Sequence, residues 1–381
     1  SEILEQLNLK ENMRKNTVGM IAMYSEFYDT GVYTAITEAL PFPCIGYTSS
    51  FLGSIGETGD LMLSVTMLTS DENEFGVFQS PVISTLRDPA GAKTAVDQLA
   101  DEIYKIGQPT LVFPFVALTP EFSMDDMVTL LDTALDHTPL FGAVVFSSLD
   151  KSAFTCIGNG EKLMREMIMV VVYGPLKPHF KVVTAVSDTT LLSKPAKVTR
   201  ARSSVLFEVN NTPTVEYLHK IGAMTDKENT ETMWILPTLV ENPEKGIRKS
   251  RAFMGFAPND RSAIYAAGNV DEGSMISFSQ LDAKTTNETA VKAFRELIEE
   301  DAECFLGVSC MARSMANGGD YLRELLNISE LYKETKESKG KEIGYQIISA
   351  AGEVAPILSN SGNLVNTLHN YSLVICYFKQ D

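Results

Sequence analysis

The chain has 381 residues, 44% hydrophobic and 21% charged, with 32 basic side chains against 49 acidic and a formal net charge of −17. This is enough to bury a sizeable core, as two domains or one large domain of repeated units. The acidity repels nucleic-acid backbones and anionic lipid head groups, so neither is expected as a partner.

The opening "SEILEQLNLKENMRKN" is polar and helical, without the apolar stretch of a secretory signal. A first unit follows: the strand "VGMIAMY", a helix near 30–40, the strand "CIGYTSSF", a loop bearing Gly56-Glu57, and the paired strands "DLMLSVTML" and "EFGVFQS". Next, Val96, Leu99, Ala100 and Ile103 fall on one face of a helix. The second unit runs "TLVFPFV", a helix over 124–136 that Ser123 can cap, "LFGAVVFSS", a loop with Gly160-Glu161, "MIMVVVYG" and "HFKVVTAV". "MIMVVVYG" is the longest apolar run and is far too short to span a bilayer.

A different block separates this unit from a third. "AKVTRARSSVLFEVNNTPTVEYLHKIG" reads as strands, a turn at Asn210-Asn211 and a helix from Pro213. Antiparallel strands follow, with turns at Pro258-Asn259-Asp260 and Asp271-Glu272-Gly273. Thr285 and Glu288 form a capping box before the stripe Val291, Phe294 and Ile298. The third unit runs "CFLGVSC", a helix near 319–335, "IGYQIIS", a loop with Gly352-Glu353, and "YSLVICYF". The recurrence of one plan points to internal duplication. The fold class expected is α/β: two closely packed domains of repeated strand–helix–strand–loop–strand–strand units, with mixed sheets and flanking helices. Residues 17–210 would hold two units, and 211–381 the antiparallel block and the third.

Phosphate-cradling GxxxxGK[ST] and GxGxxG loops are missing, as are HExxH and CxxC, and the four histidines lie far apart. Neither nucleotide nor zinc chemistry is expected. The five cysteines are odd in number and scattered, which suits reduced thiols and a cytoplasmic location. "SCMARS" puts Cys310 and Arg313 at the end of a strand, where open α/β sheets gather ligands. Arg313 could lower the Cys310 pKa, clamp a carboxylate, or pair structurally with an acid. Glu353 is expected at the same sheet edge, because a helical crossover makes "CFLGVSC" and "GYQIIS" parallel neighbours. It would form a tie to Arg313 or the floor of a pocket. Asn370 and Ser372 begin the last strand, on one face.

Taken together, "CIGYTSSFLGSIGETGDLMLSVTML", "KVTRARSSVLFEVNNTPTVEYLHKIG", "GNVDEGSMISF", "SCMARS", "GYQIISAAGEVAPI" and "HNYSL" resemble the FIST proteins, in the family's order, from about residue 17 to 378. One departure is "VNNTP", which lacks the Asp-Gly pair expected in that turn. The resemblance implies a FIST N-terminal and a FIST C-terminal domain and an intracellular sensory role, with small molecules such as amino acids as ligands. Carried over by motif, its polar positions fall on Cys310, Arg313, Gly352, Glu353 and Asn370. The expectation is a non-catalytic sensor in which Arg313 holds an anionic group and Glu353 orients Arg313 or accepts from an amine. The sequence carries no kinase, cyclase, chemoreceptor or F-box segment, so output through a separate signalling partner is expected. Rival readings are an enzyme with Cys310 as nucleophile, a haem-binding nitric-oxide sensor with an axial His, Cys, Met or Tyr, and a scaffold.

Overall fold

The computed structural model describes residues 2–119, 123–147, 152–186, 191–224, 235–242, 247–257, 261–359 and 362–379. The chain is mixed α/β, as expected, and its described strands form sheets of four, eleven and eight strands. The large sheet joins the second and third units edge to edge. Its spatial order is His179–Thr184, Ser372–Phe378, Cys304–Cys310, Gly344–Leu358, Gly142–Val145, Pro109–Ala117, Met167–Tyr173 and Glu74–Gln79. Cys304–Cys310 and Gly344–Leu358 run parallel with Cys310 opposite Ala350, which bears out the expected adjacency.

Alternation along these strands sorts side chains into layers. Leu111, Phe113 and Phe115 point to a core shared with Val18, Met20 and Tyr47 of the four-stranded sheet. Val112 and Val116 point the other way, onto helices Pro89–Tyr104 and Met124–Ala134. Phe305, Tyr345 and Ile347 meet helices Ala283–Glu299 and Arg323–Lys339 in the same manner. Helix Val32–Ala39 covers the outer face of the small sheet through Tyr33 and Ile36. The frame is therefore helices, sheet, sheet, helix, with central strands such as Pro109–Ala117 and Met167–Tyr173 buried on both sides.

The eight-stranded sheet is built from residues 196–278 and has its own core around Val198, Leu206, Phe253, Tyr265 and Phe278. Asn210 and Asn211, at φ 50° and 58°, make the expected tight turn between Val205–Val209 and Thr212–Pro213.

Several local expectations hold and others are corrected. Ser123 does cap its helix, accepting from the Asp126 amide. The later capping box is displaced: Asp282 is the cap of Ala283–Glu299, accepting from Thr285. Gly352-Glu353 is not a loop. It lies inside one continuous strand, Gly344–Leu358, which pairs with a strand the sequence reading did not foresee, Leu364–His369. Gly56, by contrast, is at a hairpin tip with φ 88°. The Gly-Glu dipeptides are thus not structural equivalents. The turn expected at residues 258–260 lies outside the described residues.

Gly142 fixes how closely two central strands approach. A Cβ there would lie 1.9 Å from the Pro114 carbonyl oxygen, which is backbone and cannot rotate away. Gly142→Ala is expected to lower stability by about 3 kcal/mol, as a core overpacking does. Thermal unfolding followed by circular dichroism checks this, and an unchanged midpoint would contradict it.

Candidate functional site

Asn16–Met23 and Cys44–Thr48 run parallel to each other, as do Pro109–Ala117 and Gly142–Val145; Cys304–Cys310 runs opposite to the latter pair, and its end meets theirs because Cys310 and Val145 both lie opposite Ala350. The residues that follow them gather there, as the rule for open α/β sheets predicts. Tyr24, Ser50, Phe51, Phe146 and Met311, with Asp60, Leu61, Met315 and Tyr321, enclose a cavity of about 290 Å³. Phe51 and Tyr321 stack across it with ring centroids 6.0 Å apart. Ser50 is buried, and its hydroxyl has no hydrogen-bond partner among the described residues. Phe146 and Met311 also line a smaller apolar cavity of about 40 Å³, whose wall includes Cys310, Ala351 and Ala252.

Behind that wall sits a buried polar junction made of the residues singled out in the sequence. Ala350 pairs with Val145 and Gly352 with Val144, so Ala351 is an extra residue, a β-bulge. The bulge frees the Ala351 carbonyl, and Asn370 Nδ2 donates to it at 3.0 Å. Asn370 Oδ1 also accepts from the Ala252 amide at 3.4 Å, tying the eight-stranded sheet to the large one. A Cβ on Gly352 would lie 3.1 Å from Leu368 and 3.3 Å from Val144, so a small residue suits that position.

Glu353 is fully buried and accepts the Ser372 amide at 3.4 Å through Oε2, while Oε1 has no partner among the described residues. Burial pushes its carboxyl well above the ordinary range, against the opposing pull of the Cys310 thiol, the Ser372 amide and Arg313. Burial therefore favours the neutral, protonated form of Glu353. Burial, reinforced by Glu353, also drives the Cys310 thiol upward. That is the reverse of what a thiolate nucleophile needs.

Arg313 does not join this junction as expected. It lies on the short helix Met311–Met315, fully buried, and pairs with Glu324 at 2.7 Å through Nη2 and 2.8 Å through Nε. Ser309 holds the other Glu324 oxygen at 2.6 Å. Glu324 opens the crossover helix, and the sequence reading passed over it. Its position eleven residues beyond Arg313, in that helix's first turn, was the available signal.

A second cleft also escaped the sequence reading. It measures about 370 Å³ and is lined by Asp125, Asp126, Asp132, Lys249, Arg251, Asp271 and Ser274, among others. Asp125 bridges the two parts of the chain, pairing with Lys249 at 3.0 Å, with buried Arg251, and with the Asn269 amide at 2.7 Å. Burial alone would raise Asp125, but Arg251, Lys249 and that amide hold it below the usual carboxylate value. Burial lowers Lys249, with Arg251 adding to and Asp125 opposing the shift. Next to this cleft, His369 Nε2 donates to the Ala355 carbonyl at 3.1 Å, and burial depresses its pKa to about 4.

A family model described as the FIST N domain matches residues 19–212, and one described as the FIST C domain matches residues 215–356. FIST domains are recognised as sensory domains of signalling proteins. No curated protein matches the chain. Among the described residues no helix is long and apolar enough to cross a membrane.

Two stability experiments test the buried groups. Arg313→Met strands Glu324 as an unpaired buried charge and is expected to cost about 3–5 kcal/mol. Glu353→Gln keeps the shape of a protonated carboxyl, the form that burial favours, and should cost about 1 kcal/mol or less. Equal losses in urea titrations of the two variants would contradict that protonated form. For His369 the folded pKa, about 4, lies below the ordinary 6.5. Its contribution to stability is thus fully present above pH 6.5 and declines as pH falls toward 4, by at most about 3 kcal/mol. His369→Gln should remove that part of the pH dependence, read as the difference between variant and wild-type unfolding midpoints at pH 7 and pH 5.

Proposed function

The chain belongs to the FIST family, and from that premise we propose that it is a non-catalytic ligand sensor whose small molecule lodges in the strand-end cavity. The observation that carries this reading is a buried hydroxyl without a partner, Ser50, on a cavity otherwise walled by Phe51, Phe146, Met311 and Tyr321. A largely apolar pocket with a few convergent polar groups is the usual form of a small-molecule site. Asp60 accepts only and the Ser50 hydroxyl can accept as well as donate, so the pair suits a donor head, such as the ammonium of an amino acid with a bulky apolar side chain.

This differs from the arginine clamp expected from the sequence. Glu324 already occupies Arg313, and its side chain is 0% exposed, so it offers no charge to an incoming carboxylate. The roles of Cys310, Gly352, Glu353 and Asn370 follow from the bulge. Cys310 lines the small cavity that shares Phe146 and Met311 with the ligand cavity, and the other three hold that shared wall in place. Because the walls come from both FIST parts, a bound molecule holds them together. A cytoplasmic partner reading that change in rigidity completes the proposal.

A thermal-shift screen of amino acids and small amphiphilic amines tests the reading on wild type, Asp60→Asn and Met311→Trp. A true ligand at a hundred times its Kd stabilises by about 2.7 kcal/mol. That gain should shrink in Asp60→Asn and vanish in Met311→Trp, where the indole fills the cavity. Stabilisation that survives Met311→Trp, or none from any compound, would sink the proposal.

A further inference from the structure

The charged cleft is independent of the strand-end cavity, and its side chains select a different kind of molecule. It lies between helix Met124–Ala134, strand Ile247–Arg251, the turn before Met275 and strand Leu364–His369. Its volume of about 370 Å³ is that of a small-molecule site.

Its charges do not balance. Lys249 and Arg251 both engage Asp125, which leaves neither cation open to an arriving anion without first displacing that carboxylate. Asp126 receives the Asn269 amide at 2.8 Å, and neither it nor Asp271 has a cationic partner among the described residues. Asp132 accepts from Asn366 at 2.7 Å and from the exposed His137 ring at 2.8 Å. Four carboxylates thus face two cations, a surplus of two negative charges. Independently of the acids, Ser274 is 2% exposed, lines the cleft, and has a hydroxyl with no hydrogen-bond partner among the described residues. A buried hydroxyl of that kind wants a hydrogen-bond partner, and beside carboxylates it can accept from an ammonium.

The spacing speaks to the length of the ligand. Six residues separate Asp126 from Asp132 on their helix, about 9 Å along its axis. Val240 and Val365 also line the cleft and provide apolar surface for a methylene chain. A metal ion suits the site poorly, because among the described residues no three acidic, histidine or cysteine side chains converge as its ligands would. We propose that this cleft binds a short aliphatic α,ω-diamine, one ammonium held by Asp126, Asp271 and Ser274 and the other by Asp132.

Isothermal titration of the full chain with butane-1,4-diamine tests this, beside 1-aminobutane, which has one ammonium, and sodium glutamate, which brings carboxylates. The diamine should bind at least tenfold more tightly than the monoamine, and glutamate should not bind the cleft. Asp271→Asn, an isosteric change at an exposed side chain, should weaken diamine binding about tenfold, and so should Asp126→Asn if it folds. Met311→Trp should leave it unchanged, which separates this cleft from the strand-end cavity. Three outcomes would overturn the proposal: no heat, equal affinity for the monoamine, or diamine affinity that Asp271→Asn leaves intact. The last would mean general attraction to the chain's negative charge.

Discussion

One extra residue, Ala351, is the constraint on which the architecture turns. Up to Ala350 the strand Gly344–Leu358 follows Cys304–Cys310 in parallel register; beyond the bulge its partners are Gly142–Val145 and Leu364–His369. Without the bulge, side-chain alternation would carry Glu353 to the opposite face of the sheet. A bulge exposes a carbonyl that must find a donor, and Asn370 supplies it while also reaching Ala252. The second unit, the third unit and the eight-stranded sheet are thereby pinned at one buried point.

Three solutions to the problem of buried charge lie around that point. Arg313 is buried in an ion pair with Glu324 and donates to the Thr286 carbonyl at 3.0 Å. Glu353 is pushed toward its neutral form, because burial there outweighs a thiol, one backbone amide and a guanidinium. Asp125 keeps its charge by sharing itself between two cations. The differences follow from partner number. A carboxylate with two cations and an amide recovers its desolvation cost, whereas one with weak neutral donors does not.

How much of this could be read from the sequence depended on whether the relevant signal was local. The repeated strand–helix–strand plan, the Ser123 cap, the Asn210-Asn211 turn and the parallel neighbours around Cys310 were legible, since each rests on periodicity, a cap or a crossover within a few dozen residues. The bulge was not, because "SAAGEV" reads equally well as a turn; only pairing with two different strands reveals one extra residue. Arg313 was placed rightly at a strand end but matched to the wrong acid. Two carboxylates were within topological reach, and the choice between Glu324 and Glu353 is made by side-chain packing. The Asp125 cluster joins residues 124 and 126 positions apart in sequence, which no pattern along the chain marks.

The charged cleft and the small cavity beside Cys310 share a structural element. Arg251 and Ala252 are consecutive, and the first lines the charged cleft while the second lines the small cavity beside Cys310. Both are anchored to the same turn: Arg251 Nη1 donates to the Leu368 carbonyl at 3.4 Å, and Ala252 donates to Asn370. Tyr371, next in that turn, is a fully buried residue at φ 61°, a conformation held only where its surroundings enforce it. Packing of this kind moves in discrete steps or not at all. Arg251 and Asn370 therefore fix one backbone segment from both faces.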